Sequence, residues 1–231
     1  MVPILVLATF IVIALGGWYL QKRREMIAEA ARAHGPIPIP AGGTPGQPSA
    51  DFLFHPGHTW VYVHDDGLVS VGATDFATNF AGQLSAVEMP GEGARLHQGD
   101  SAWTLVSAKD RRLDQVMPIE GKVLAVNSDL LENPELAQSS PYEEGWILRV
   151  RPRELKSSIR NLLSAEASRI WIDATRTKIS ALLSPALGAL AHDGGQWIAG
   201  FGDRLEDSDW ENLKQDLFSA AAASQAEGES G

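Results

Sequence analysis

Apolar and polar positions fall into three regimes along the chain. From Val2 to Leu20 no charged side chain interrupts a run rich in Ile, Leu, Val, Ala and Phe. As a helix at about 1.5 Å per residue it spans about 28 Å, close to the thickness of a bilayer core. Trp18 and Tyr19 fall where an aromatic belt lies, and Gln21-Lys22-Arg23-Arg24 follows at once. Residues 1–24 are therefore expected to form a single-pass anchor in the cytoplasmic (inner) membrane, with the following domain on the cytoplasmic side. A cleaved secretory signal would need a positive segment before the apolar run, and only Met1 precedes it. Residues 25–50 hold a short helix from Glu25 to Ala33 and a Pro/Gly tract from Gly35 to Pro48, which forms neither helix nor ladder. That tract reads either as a tether holding the next domain off the membrane or as a spacer of untuned length.

The second regime, residues 51–167, alternates in short runs. Trp60-Val61-Tyr62-Val63, Asp65-Asp66-Gly67 and Leu68-Val69-Ser70-Val71 predict a hairpin closed by an Asp-Gly turn. Thr74 can cap a helix from Asp75 to Phe80, and strand pattern resumes from Leu84 to Val87 before a turn at Pro90-Gly91-Glu92-Gly93. Between Gly99 and Asn127 the pattern predicts two more strands. Trp103 and Leu105 alternate with Thr104, Leu124 and Val126 with Lys122, and a charged run from Lys109 to Asp114 joins them. A lysine at such a tip is suited to root a swinging prosthetic arm, because the hairpin fixes its base. A helical turn over Ser128–Glu132 and a strand over Trp146–Val150 complete a mainly β unit.

Helical spacing marks the third regime. Leu155, Ile159, Leu162 and Leu163, then Ile170, Ala174, Ile179 and Leu182, predict one broken or two consecutive amphipathic helices, the later part packing on the barrel or a partner. Pro185 and Asp193-Gly194-Gly195 break the pattern. Ser208-Asp209-Trp210-Glu211 fits a capping box ahead of a helix with Trp210, Leu213 and Leu217 on one side. Residues 168–218 are thus a helical docking appendage, and residues 219–231 a small, polar, disordered tail.

Charge narrows the classes of partner. The 231 residues hold 19 Lys and Arg against 29 Asp and Glu, and beyond Arg24 the 16 remaining cations against 29 acids leave −13. So acidic a domain repels phosphate backbones, which excludes nucleic acid as an expected partner. The absence of cysteine excludes disulfides, iron–sulfur clusters, thiolate zinc sites and a cysteine nucleophile. His55, His58 and His64 lie close in sequence, but no carboxylate at helical spacing completes a metal pattern, so no metal site is expected. Neither a phosphate-cradling loop nor a nucleophile elbow occurs, so no catalytic residue is assigned and the chain is expected not to be an enzyme.

The punctuation of the β unit carries a resemblance. His58-Thr59-Trp60, Val71-Gly72-Ala73-Thr74, Phe76-Ala77, Gly82, Pro90, Gly93, Gly99-Asp100, Pro118, Gly121, Val126-Asn127, Pro134-Glu135-Leu136, Pro141-Tyr142 and Gly145-Trp146-Ile147 occur in the order found in the H protein of the glycine cleavage system. The similarity runs from about Phe54 to Ala167. It implies a lipoyl/biotinyl-like barrel-sandwich with flanking helices, to which this chain adds the N-terminal transmembrane helix. It also implies a hairpin lysine carrying lipoate in amide linkage, whose arm serves a glycine decarboxylase, an aminomethyltransferase and a dihydrolipoamide dehydrogenase.

Counted from Gly99-Asp100, the family's lysine falls on Lys109, and Ser107-Ala108-Lys109 resembles the usual Ser-Val-Lys. Counted back from Pro118 it falls on Asp110, so this hairpin has one extra residue. Val106 stands where an acid usually precedes the motif, and Asp110-Arg111-Arg112 replace small residues. Lys109 is thus either a lipoyl attachment site or one charge in a solvated turn. On the second reading no cofactor is expected, and the domain is a membrane-tethered accessory or interaction subunit. On the first it is a carrier shuttling an aminomethyl or redox intermediate between glycine-cleavage-like or other lipoate-dependent enzymes. A secretion or efflux adaptor would need a periplasmic domain and long coiled-coil heptads, and the sequence has neither.

Overall fold

Alternating strands that cannot bury a face alone are resolved here by two antiparallel sheets closing on a shared core. A computed structural model of the chain describes residues 17–18, 50–182, 192–193, 196–197 and 200–218. The chain divides into Met1–Gly35 and Pro36–Gly231. In the first unit only Gly17 and Trp18 are described, both helical. The rest of the anchor expected over residues 1–24, nearly all of the linker and the tail from residue 219 lie outside the described residues. Among the described residues no helix is long and apolar enough to cross a membrane.

In the second unit β1 (Phe52–His55), β2 (Thr59–Val63), β3 (Val69–Ala73), β5 (Arg95–Leu96), β8 (Gly121–Val126), β9 (Leu148–Pro152) and β10 (Leu163–Ser164) form a seven-stranded sheet. Its order is β10-β1-β2-β3-β9-β8-β5. The second sheet, β4 (Leu84–Glu88), β6 (Ser101–Ser107) and β7 (Arg112–Val116), has the order β4-β6-β7. Val61, Val69 and Val71 from the first sheet meet Val87, Leu105 and Leu113 from the second, with Phe76 and Phe80 of α1 (Asp75–Ala81) between them. Each such side chain withdrawn from water contributes about 1.5–3 kcal/mol. As its sequence predicts, α1 starts at Thr74, whose Oγ1 accepts from Ala77 N at 3.3 Å.

The remaining helices are α2 (Asp129–Glu132), α3 (Leu136–Ser139), α4 (Leu155–Ser158), α5 (Ala165–Leu182) and α6 (Asp207–Phe218), with 3-10 turns at Ile159–Asn161 and Phe201–Arg204. A two-stranded ribbon joins His192–Asp193 to Gln196–Trp197.

Three expectations are corrected. The charged hairpin pairs β6 with β7, not with the strand holding Leu124 and Val126, which is β8 in the other sheet. In β7 Leu113 and Gln115 point in while Arg112 and Asp114 point out, and the buried glutamine hides the alternation. Ile170 is not part of the packed face: it is 72% exposed. The buried stripe of α5 runs through Ala165, Ser168, Thr175 and Ile179, and its two hydroxyls donate to Ala165 O and Trp171 O, so counting apolar residues misplaces it. Ser208 is not an N-cap, because α6 already begins at Asp207.

Candidate functional site

Lys109 sits at the tip of the β6–β7 hairpin, in a turn fixed by backbone bonds. Asp110 N donates to Ser107 O and Ser107 N to Arg111 O, both at 2.9 Å. Asp110 takes the left-handed conformation, φ 60°, so the loop is a reverse turn followed by a bulge-forming αL residue. The buried Ser107 holds it from inside: its Oγ accepts from Lys109 N at 3.3 Å and from Arg111 N at 3.1 Å. Ala108 N donates to Gln83 O at 2.7 Å and ties the turn to the end of α1. A second bulge lies lower on the hairpin, where the register shifts between Ser101 and Trp103. Bulges of this kind let paired strands absorb an odd residue without turning every side chain over.

A segment distant in sequence lies against this tip. Lys109 is exposed along its stem, yet its Nζ donates to Asp203 O at 2.6 Å. Arg111, with a side chain only 9% exposed, donates to Gly202 O at 2.7 Å, Leu205 O at 2.8 Å and Asp207 Oδ1 at 2.6 Å. Its guanidinium lies 5.5 Å from the Trp210 ring centroid. These bonds draw the Asp207 carboxyl below its ordinary range.

The segment from Gly200 to Phe218 is seated equally firmly on α1. Gln83 N donates to Asp203 Oδ2 at 2.6 Å, Gly200 N to Asn79 Oδ1 at 2.9 Å and Trp210 Nε1 to Phe80 O at 2.9 Å. The Trp210 and Phe80 rings stack at 5.2 Å, nearly parallel. A Cβ at Gly202 would overlap the Phe80 carbonyl, so only glycine permits this approach.

The histidines do other work. His58, 1% exposed and at φ 59°, lies in an aromatic nest with ring centroids of Phe76 and Trp171 at 4.3 Å and Phe218 at 4.8 Å. Burial, helped by His55, holds its pKa well below the ordinary value. Burial lowers His55 to about 4, and its Nδ1 accepts from Gly57 N. His64 bonds Ser70 Oγ at 2.8 Å. Among the described residues no group of three or more His, Cys, Asp or Glu side chains is placed to hold a metal ion.

Of the residues that build the tip, the sequence singles out Lys109; Ser107 enters only within the matched tripeptide. That Arg111, Gly202, Asp203 and Trp210 meet at this tip is seen only in three dimensions. Gly200-Phe201-Gly202 is the one local signal of a close backbone approach.

The two-sheet β domain thus holds Lys109 on a hydrogen-bonded hairpin tip. The model of the family described as Glycine cleavage H-protein matches residues 52–174, and the chain belongs to that family. It is 40% identical over 116 residues to the glycine cleavage system H protein of Listeria monocytogenes serotype 4a, covering 50% of this chain and 90% of the relative. It is 39% identical over 107 residues to that of Hydrogenovibrio crunogenus, covering 46% of this chain and 81% of the relative. A crystal structure of a glycine cleavage system H protein from Mycobacterium marinum is 27% identical and covers 52% of this chain and 94% of its own, with a TM-score of 0.47. Residues 52–174 are thus an H-protein-like lipoyl carrier domain, and the segment seated on the hairpin tip lies outside the family match.

Proposed function

We propose that this chain is a non-catalytic carrier whose arm is lipoate joined through an amide to Lys109 Nζ. The observation that carries this reading is the position of Lys109, exposed on a turn that Ser107 and Gln83 hold rigid. A fixed root and a free end are what a swinging arm needs. Bound lipoate supplies a dithiolane at the end of a long flexible chain. The site fits such loading chemically, because an amide nitrogen keeps one N–H and the contact to Asp203 O uses only one donor. The partners are then glycine-cleavage-like or other lipoate-dependent enzymes. The anchor segment of residues 1–24, an apolar run with a basic flank, tethers the carrier to the cytoplasmic face of the inner membrane.

A second reading, a non-catalytic accessory subunit without an arm, is favoured by one observation: the C-terminal segment takes both the Lys109 amine and the Arg111 guanidinium. Intact-mass spectrometry of the full chain, made with abundant lipoate and a lipoyl-attaching enzyme, separates the two. The expected result is addition of one lipoyl group, lost in Lys109→Arg. A wholly unmodified chain would overturn the carrier reading and leave the accessory one. For the tether, a reporter fused after Arg24 is expected to be active in the cytoplasm, and activity only outside it would overturn that orientation.

A further inference from the structure

At the far end of the β6–β7 hairpin from Lys109, the seven-stranded sheet carries an arrangement with no role in the carrier reading. Arg95 on β5 is the direct cross-strand partner of Lys122 on β8, and Lys122 is in turn the partner of Arg151 on β9. Directly paired antiparallel residues share a face, with Cβ atoms about 4.5–5.5 Å apart. Three cations therefore form a rung perpendicular to the strands, about 10 Å from end to end. All three are exposed, and among the described residues none of their side chains has a hydrogen-bonding or ion-pair partner.

Like charges placed directly opposite one another destabilise a sheet. Acids are plentiful in this chain, which has a net charge of −10, so opposite-charge pairing was readily available at these positions. Protection of a sheet edge by basic residues would explain Arg95, since β5 is the edge strand. It does not explain Lys122 and Arg151, whose strands lie further in.

The rung lines an open cleft of about 570 Å³, together with Leu96, His97, Glu120, Gly121, Pro152 and Arg153. Of the other ionisable groups there, Arg153 pairs with Glu120 at 3.0 Å, and His97 Nδ1 lies 3.3 Å from Asp100 Oδ2. Among the described residues, the uncompensated charges facing the cleft are therefore the three of the rung.

The geometry points to a binding site for a small polyanion of the phosphate class, held by Arg95, Lys122 and Arg151. Two or more adjacent anionic groups satisfy the rung better than a single charge, and guanidinium forks match phosphate oxygens bidentately. The negative potential of the rest of the chain disfavours long polyanions, which would run beyond the cleft, and so selects a compact ligand. Such a group can come from a free oligophosphate or from a lipid headgroup.

The test is titration of the full chain with inorganic pyrophosphate at low ionic strength, followed by calorimetry, alongside co-sedimentation with neutral and with anionic phospholipid vesicles. Saturable pyrophosphate binding is expected to weaken about twofold to fivefold for each of Arg95→Gln, Lys122→Gln and Arg151→Gln, the range for exposed charge pairs, and to vanish in the triple variant. Retention on anionic vesicles alone, lost in the triple variant, would support the site with a lipid source. Thermal melting of the triple variant is expected at or above that of the unchanged chain, because repulsion has been removed. Binding of neither probe, binding that survives the triple substitution, or capture of an acidic peptide but neither phosphate probe would each overturn the proposal. If the triple variant fails to fold, the three single variants decide: weakening in each supports the site, and unchanged binding in all three overturns it.

Discussion

Two hairpins in this domain end in the same backbone turn and meet different fates. At the tip of β2–β3, His64 N donates to Leu68 O and Gly67 N to His64 O; at the tip of β6–β7, Ser107 N donates to Arg111 O and Asp110 N to Ser107 O. Each has its third loop residue in the left-handed region, Gly67 at φ 78° and Asp110 at φ 60°. Position by position, Lys109 corresponds to Asp66. At the first turn a Cβ at Gly67 would meet nothing within 4 Å. The second is gripped by a segment almost a hundred residues away. A charged tip is therefore not merely a solvated one: the backbone solution is generic, and what the chain brings against it decides its role.

The comparison breaks first at Trp210. Trp210→Ala is expected to cost about 3–5 kcal/mol, since a nearly fully buried indole and its bond to Phe80 O are lost together. Urea unfolding gives the size. Hydrogen exchange should show residues 200–218 losing protection while the β2–β3 turn is unchanged; equal loss at both tips would mean that the seat is not local. Arg111→Ala should cost about 1.5–3 kcal/mol by the same measure, as a charged donor with three acceptors is removed.

Acid tests the seat from below, through the His58 nest that includes Phe218. His55 has a folded pKa of about 4 against an ordinary 6.5. Its contribution is complete above the ordinary value and is lost as pH falls toward the folded one. Lowering pH from about 7 to 5 should thus remove about 2 kcal/mol from His55, with His58 adding in the same direction. Thermal melts across that window check it, and a flat profile would contradict the buried neutral rings. Smallest is the exchange of αL residues: Gly67→Asp should cost about 1 kcal/mol and Asp110→Gly return up to as much, if the two turns are equivalent.

Much of the fold was legible, for reasons that residues make plain. Val61, Val69 and Val71 alternate cleanly and Asp66-Gly67 announces its turn, so β2–β3 is readable from local pattern. β7 is not, because Gln115 occupies a core position and Arg112 and Asp114 mimic a loop. The stripe of Trp210, Leu213 and Leu217 is visible as an apolar face, and all three are buried. Its seat is invisible, since the acceptors for Lys109 and Arg111 include main-chain carbonyls at Gly202, Asp203 and Leu205, which any residue supplies. The lysine was found through the punctuation around it; its surroundings depend on contacts that sequence proximity does not encode.

The long separation between Lys109 and Asp203 also has a meaning in time. A ribosome adding about 5–20 residues per second makes Asp203, 94 positions later, roughly 5–20 s after the lysine. The strands that shape the tip, β4, β6 and β7, all precede the segment that covers it. During every round of synthesis the lysine amine therefore exists before the carbonyl that receives it.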